Sequence, residues 1–250
     1  MGQDFFRRWD VSMNSANARQ QDVTNVILAS LPADEFGEIA RNLDFVRLDT
    51  GARIYDTEEV VRQVYFINDG LLSLLSTLED GTSIEVGALG REGLGGLSVL
   101  LGSDLAAHTG LVQAPGTAMR MTTEHVREAF RRLPSFQTKM LSYTRMLMSQ
   151  ISQTAACNTL HTVEERLARW LLMCRRRLQS DDLPLTQEFL SHMLGVRRSG
   201  VTVAVGILER AGLIEHRRGA IHVADAERLK EASCECIRAM ADEFDAFVNG

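Results

Sequence analysis

The sequence predicts an α+β protein: an N-terminal β-roll of jelly-roll type serving as a sensor domain, a long dimerisation helix, and a C-terminal winged helix-turn-helix. Three observations carry this. Between Asp44 and Met121, short apolar runs alternate with Gly and Asp turns about every 8–12 residues, a β-sandwich or barrel texture. From Ser135 to Thr159, Phe136, Met140, Tyr143, Leu147 and Ile151 recur at helical spacings. From Leu185 to Val223 the chain reads as a short helix, a glycine turn, a second helix and a small hairpin.

Taken in order, residues 1–16 are polar and aperiodic, a flexible lead-in. The β-roll domain is expected over 17–134. It opens with a helical stretch from Asn17 to about Arg41, with Val26, Ile27, Leu28, Leu31, Phe36 and Ile39 as its apolar set and Pro32 as an interruption. Val64–Ile67 and Leu71–Leu75 are predicted strands on either side of the N-D-G turn at Asn68–Gly70. A helix from Thr123 to Arg132 ends near Pro134. The long helix occupies 135–160. Its apolar seam lies between two domains, so its simplest partner is the symmetry-related helix, and Phe136, Met140, Tyr143, Leu147 and Ile151 are the expected dimerisation residues. Packing on its own barrel is the alternative.

The winged helix-turn-helix is expected over 161–224. Thr162 and Glu165 have capping-box spacing, and Trp170, Leu171, Leu172 and Met173 form the buried set of the helix that follows. Arg175–Arg177 lie where positive charge offsets a helix dipole. Thr186 caps the next helix, whose core face is Phe189, Leu190, Met193 and Leu194. Gly195 makes the turn. The second helix buries Val196, Val201, Val205 and Leu208, with Leu213 beyond it, and Glu215–Val223 forms the wing. Residues 225–250 read as one further amphipathic helix, from Asp225 to Phe247.

Charge marks the same segment. Residues 1–160 carry 14 Arg or Lys against 19 Asp or Glu, whereas residues 166–222 carry 10 against 5. The net charge of −6 excludes a protein that coats nucleic acid by bulk charge. A local basic patch on a helix-turn-helix fits double-stranded DNA. The candidate DNA-binding residues are Thr186, Gln187, Arg197, Arg198, Ser199, Thr202, Val203, Arg217 and Arg218, with Arg198 the best candidate for a bidentate guanine contact. Met146–Val163 is uncharged but too rich in Ser, Gln, Thr and Asn for a membrane span. The four cysteines, at 157, 174, 234 and 236, form no disulfide framework, and no signal peptide is evident, so the cytoplasm is expected. No metal site is expected: His108, His125 and His161 are scattered, and Cys234 and Cys236 on one helix would diverge by about 200°. An enzyme on the β-roll would need several convergent histidines, and that region holds only His108.

Y-F-I-N-D-G at Tyr65–Gly70, E-E-R-L-A-R-W-L-L at Glu164–Leu172, and G-V-R-R-S-G-V-T-V at Gly195–Val203 followed by L-E-R-A-G-L-I at Leu208–Ile214, occur in the order found in one family. Over Asn17–Val223 the chain resembles the Crp–Fnr family of bacterial transcription regulators. The resemblance implies a homodimer held by the long helix, and two recognition helices entering successive major grooves of a palindromic site, about 34 Å apart; the acidic C-terminal helix is open to two roles, covering the long-helix seam or contacting RNA polymerase, the further partner expected. The resemblance also implies an effector pocket at Arg91, Glu92, Gly95, Gly96, His108 and Thr109. The chain departs from the family there. Where cyclic-nucleotide binders use an Arg for the phosphate, this chain offers His108, a poor cation at pH 7, so cAMP is not expected and the effector is unknown. Leu94, Leu97, Leu111, Val112 and Met119 are candidate fillers of that pocket. With no Cys before Cys157 the family's N-terminal iron–sulfur cluster is not expected, nor is haem. At the recognition helix, Ser199 and Val203 stand where well-known members present a Glu and an Arg, so a different DNA preference is implied. Two other readings stay open: a cyclic-nucleotide-responsive regulator with a divergent pocket, and a small-molecule module that does not act on DNA.

Overall fold

A buried asparagine ties the first helical segment to the sheet. Asn25 caps α1 (Val26–Ala29), accepting from the Leu28 amide at 3.3 Å. Its amide nitrogen donates to the carbonyls of Ile67 (2.8 Å), Gly93 (2.9 Å) and Arg91 (3.1 Å). The computed structural model describes residues 19–217 and 219–250, with backbone only for Gln187 and Glu188. The lead-in expected at 1–16 and the wing residue Arg218 lie outside the described residues. The helical stretch expected from Asn17 to Arg41 divides into a 3-10 turn at Gln20–Asp22, α1, and α2 (Ala33–Ala40), because Asn25 and Pro32 each start a new helix.

The β-roll comprises β1 (Asp44–Leu48), β2 (Arg53–Tyr55), β3 (Gln63–Thr77), β4 (Ser83–Leu89), β5 (Leu94–Gly95) and β6 (Thr109–Thr122). All pairings are antiparallel, in the order β1-β6-β3-β4, with β2 on β6 and β5 on β3. The two strands expected at Val64–Ile67 and Leu71–Leu75 are one strand, β3. Asn68-Asp69-Gly70 is a bulged bend within it, where the register against β6 shifts. Two facing glycines permit the bend. Gly70 has φ +87°, and a Cβ on Gly116 would meet the Asp69 carbonyl oxygen at 2.2 Å. Phe66, Ile67, Leu72, Val112 and Met121 fill the roll.

α3 (Thr123–Arg132) is capped by Thr122 and leads into α4 (Pro134–Leu160). Four of the five residues expected at a dimer seam belong to this chain's own core. Phe136, Met140, Tyr143 and Leu147 are buried against the β-roll, and Ile151 packs on the same cluster. Phe136 sits 6.2 Å from Phe66 ring to ring, and the Tyr143 hydroxyl donates to the Leu94 carbonyl at 3.2 Å. The apolar period marked a buried stripe, and the barrel covers it.

α5 (Val163–Leu178) begins with the expected capping box at Thr162 and Glu165. β7 (Asp182–Leu183), α6 (Gln187–Leu194), α7 (Arg198–Arg210), β8 (Ile214–Arg217) and β9 (Ala220–Val223) complete the winged domain, with sheet order β7-β9-β8. This domain rests on the β3–β4 face of the roll. Leu71, Leu75, Ala88 and Ala114 share a core with Leu167, Trp170, Leu171 and Leu194. Buried polar contacts cross the same boundary. Trp170 Nε1 donates to Glu85 Oε1 at 2.8 Å, and Arg177 Nε to Glu92 Oε1 at 2.7 Å. Arg177 Nη2 donates to Gln150 Oε1 at 2.8 Å, and Gln150 Nε2 to the Ala88 carbonyl at 3.1 Å.

Burial pushes the Glu85 carboxyl up from the ordinary carboxylate range, against the opposing effects of Ser73, Trp170 and two arginines. Its folded-state pKa therefore lies above the unfolded value. Its contribution is fully present below the unfolded pKa and is lost as pH rises through the folded one. Glu85→Gln keeps an acceptor for Trp170 and has no charge to bury. The variant is expected to unfold at a higher temperature than wild type, with the gap widening as pH rises, in thermal scans across pH.

The terminal segment is two helices, α8 (Ala226–Glu231) and α9 (Cys236–Asn249), rather than one. The break at 232–235 leaves Cys234 outside any helix. Cys234 and Cys236 therefore do not diverge as a single continuous helix would require. Cys234 Sγ lies 3.4 Å from Cys157 Sγ. α9 lies along α4. Lys139 Nζ donates to the Phe247 carbonyl at 2.8 Å, and Arg145 pairs with Glu243 at 2.7 Å. Among the described residues no helix is long and apolar enough to cross a membrane.

Candidate nucleic-acid interface and sensor pocket

The α6–α7 turn depends on Gly195 for two reasons. Its φ is +61°, and a Cβ there would meet Ile84 Cδ1 of the β-roll at 2.6 Å. Thr186 caps α6, its hydroxyl accepting from the Phe189 amide at 3.2 Å. Any DNA contact it makes shares that oxygen. The side chain of Gln187 lies outside the described residues. α7 buries Val201, Ala204, Val205 and Leu208 and turns Arg198, Ser199, Thr202 and Val203 outward, with Arg197 as an exposed N-cap. Val203 is 57% exposed and Ile207, one turn on, 38%. Ile207 was missed from the sequence, although its i+4 relation to Val203 was legible. The Thr202 hydroxyl donates to the Arg198 carbonyl at 3.0 Å, which fixes the side chain on the outer face of the helix.

Several basic side chains outside α7 are held in ion pairs. Arg217 in the wing pairs with Asp182 at 2.8 Å and Glu215 at 2.9 Å. The Arg175–Arg177 run is fully engaged: Arg175 pairs with Asp181, Arg176 with Asp245 and the Phe244 ring, and Arg177 with Glu92. The N-terminal turn of α7 brings exposed basic and hydroxyl side chains together.

Between the β-roll and α4 lies a cavity of about 420 Å³, lined by Tyr55, Leu74, Leu97, His108, Leu147 and Ile151 among others. The six expected pocket residues do not converge on it. Gly96 and His108 line it. Gly96 has φ +97° and donates its N–H to the Tyr55 hydroxyl at 3.0 Å. Gly95 backs onto Ile54 and Leu72, with no room for a Cβ. Glu92 turns away and pairs with Arg177, because the loop around it is pressed against α5. Arg91 sits beside the Gln179 amide, 3.2 Å away. Thr109 Oγ1 accepts from the Thr57 amide at 3.1 Å and donates to Asp56 at 3.3 Å, and Thr109 is not among the described lining residues. Of the expected fillers, Leu94 and Leu97 line the cavity, whereas Val112 and Met119 belong to the interior of the roll and Leu111 packs toward the winged domain. Burial lowers His108 below the ordinary histidine value, so at pH 7 it is neutral. Its Nδ1 is buried with no partner among the described residues. No Arg or Lys is among the described lining residues.

These features define a β-roll domain joined through a long helix to a winged helix-turn-helix. Residues 45–132 match the cyclic nucleotide-binding domain and residues 165–232 the Crp-like helix-turn-helix domain, together more than half of the chain. The chain belongs to the Crp–Fnr family. FixK2 of Bradyrhizobium japonicum is similar in structure, with a TM-score of 0.67 and 17% identity over 77% of this chain and 98% of that one. A Crp/Fnr-family transcriptional regulator of Eubacterium rectale gives 0.66 and 17% over 82% and 96%. CLP of Xanthomonas campestris, a c-di-GMP responsive global regulator, gives 0.65 and 14% over 77% and 99%. A comparison with curated proteins finds no match.

Proposed function

We propose that this chain is a cytoplasmic, homodimeric, sequence-specific DNA-binding transcription regulator that works with RNA polymerase, its sensor taking a small, largely apolar ligand rather than a cyclic nucleotide. The observation that carries the DNA reading is the outward face of α7, where Arg198, Ser199, Thr202 and Val203 stand clear of the core. An Arg, two hydroxyls and a methyl-bearing side chain are the means to read guanine edges and thymine methyls. The ligand reading rests on the cavity. A cyclic phosphate needs a fixed cation, and the described lining offers a neutral imidazole, hydroxyls and apolar side chains.

The dimer reading rests on the flank of α4 that neither the barrel nor α9 covers. Leu141 is 55% and Met148 65% exposed, seven residues apart, with the exposed Ala155 seven further on. Replacing Leu141 and Met148 together by Glu is expected to give a monomer in sedimentation velocity while leaving the fold intact, since both side chains already face solvent. A dimer that persists would place the interface elsewhere.

The function is tested by random-oligonucleotide selection on ligand-free protein, with and without cyclic AMP. A palindrome recovered without nucleotide supports both readings. A palindrome that needs cyclic AMP overturns the pocket reading, and no enrichment under either condition, including with apolar ligand pools, overturns the DNA reading.

A further inference from the structure

Three thiols and an imidazole from distant parts of the chain meet at the junction of α4 and α5. Cys157 lies near the end of α4, His161 follows that helix directly, and Cys234 and Cys236 flank the turn into α9. One ligand atom from each lies within 4.8 Å of all the others. Cys157 Sγ is 3.4 Å from Cys234 Sγ, and Cys236 Sγ is 3.7 Å from His161 Nδ1. A tetrahedral ion with metal–sulfur bonds near 2.3 Å and a metal–nitrogen bond near 2.0 Å separates its ligand atoms by about 3.5–3.8 Å. We propose that Cys157, His161, Cys234 and Cys236 form a mononuclear site, three thiolates and one imidazole, for a thiophilic divalent cation of the zinc class.

The surroundings match that assignment better than a nest of core thiols. His161 Nε2 lies 3.1 Å from Glu235 Oε2 while Nδ1 faces the sulfurs. A carboxylate on the far nitrogen holds the proton there and leaves Nδ1 free to bind, the usual support of a metal-bound histidine. Gln153 Nε2 donates to Cys236 Sγ at 3.0 Å, which fixes that sulfur in place beside the other three groups. Three thiolates on a divalent ion leave a net charge of −1. Two buried guanidiniums, Arg166 and Arg169, stand in the first two turns of α5 beside this junction, and Arg169 Nη1 reaches Met240 Sδ of α9 at 3.1 Å. Among the described residues neither has a carboxylate within ion-pair distance, and the Nε of each is buried without a partner. Buried cations call for a compensating anion, and the loaded cluster is one. An iron–sulfur cluster fits less well, because its inorganic sulfides would force the cysteine sulfurs farther apart.

The site's position gives it a consequence. Cys157 and His161 bracket the joint between the long helix and the winged domain, and Cys234 and Cys236 begin the helix that lies along α4. One ion would pin all three, so its removal is expected to loosen α9 and the orientation of α7. That regulatory consequence rests on the DNA reading, whereas the metal site does not.

The test is a cobalt titration of the full-length chain, reduced and stripped with a chelator. The expected result is one Co²⁺ per chain, displaced by Zn²⁺, with the intense d–d bands and sulfur-to-cobalt charge transfer of a tetrahedral ion held by three sulfurs and one nitrogen. Cys234→Ser and His161→Asn should each weaken cobalt binding by more than about tenfold, and Cys174→Ser should leave it unchanged. The wild-type titration decides the matter if a cysteine variant fails to fold. A flat titration, a Cys157–Cys234 disulfide formed in place of metal binding, or a multi-iron cluster would each overturn the proposal. Because the readout contains no DNA, failure of the regulator reading would leave this result standing.

Discussion

Glu92→Ala is expected to cost the folded chain about 3–5 kcal/mol. The Arg177 side chain is 5% and the Glu92 side chain 1% exposed, and their ion pair crosses from the β-roll to the winged domain. Removing the carboxylate leaves a buried guanidinium whose remaining described polar partner is Gln150. The cost is that of the orphaned charge rather than the worth of the pair, and the two can be separated. Glu92→Gln retains an acceptor and should lose less. Exchanging both members for apolar residues of similar volume should come close to wild type. A denaturant series on the single and double variants would give the coupling directly. A loss below about 1 kcal/mol for Glu92→Ala would mean that water reaches Arg177 and that the winged domain does not dock as described.

The same pair bears on the proposed response to a ligand. Glu92 and Gly96 flank the two-residue strand β5. Gly96 lines the cavity, Gly93 leaves no room for a Cβ against Tyr143 of α4, and Glu92 grips α5. A ligand that moves Gly96 therefore acts on a segment already fastened to both the long helix and the winged domain. If that segment carries the signal, Glu92→Gln should weaken the effect of an activating ligand on DNA affinity more than it weakens ligand binding itself.

The sequence made local structure legible and left long-range partners hidden. In the winged domain, Leu190, Met193, Val201, Val205 and Leu208 follow from helical period, and all are buried as expected. The capping box at Thr162 and the glycine at 195 are equally local. In α4 the period revealed the stripe from Phe136 to Leu147 but not what covers it, because a periodic apolar face is the same whether a barrel or a partner helix lies opposite. The family resemblance places Glu92 in the pocket, whereas its partner, Arg177, lies 85 residues away in sequence. The thiol cluster was hidden by one secondary-structure error. A single helix over Asp225–Phe247 separates Cys234 from Cys236, and a break at 232–235 brings them together.

Arg198→Ala is expected to remove about 1–3 kcal/mol of discrimination at one base pair in each half-site, with a smaller loss on unrelated DNA. Arg198 is the first residue of α7, at the helix end that the proposed docking puts in a major groove, and its side chain is exposed. Arg217 in the wing pairs with Asp182 and Glu215, and Arg217→Ala should weaken all sequences slightly and evenly and make binding less sensitive to salt. Binding of both variants to the selected site and to its single-base substitutions, at two salt concentrations, separates the roles. Loss of preference at one position for Arg198→Ala, with no change in pattern for Arg217→Ala, assigns base reading to α7 and positioning to the wing. Equal loss on every sequence for Arg198→Ala would move that side chain onto phosphate and leave Ser199, Thr202, Val203 and Ile207 as the readers, a surface suited to thymine methyls more than to guanine.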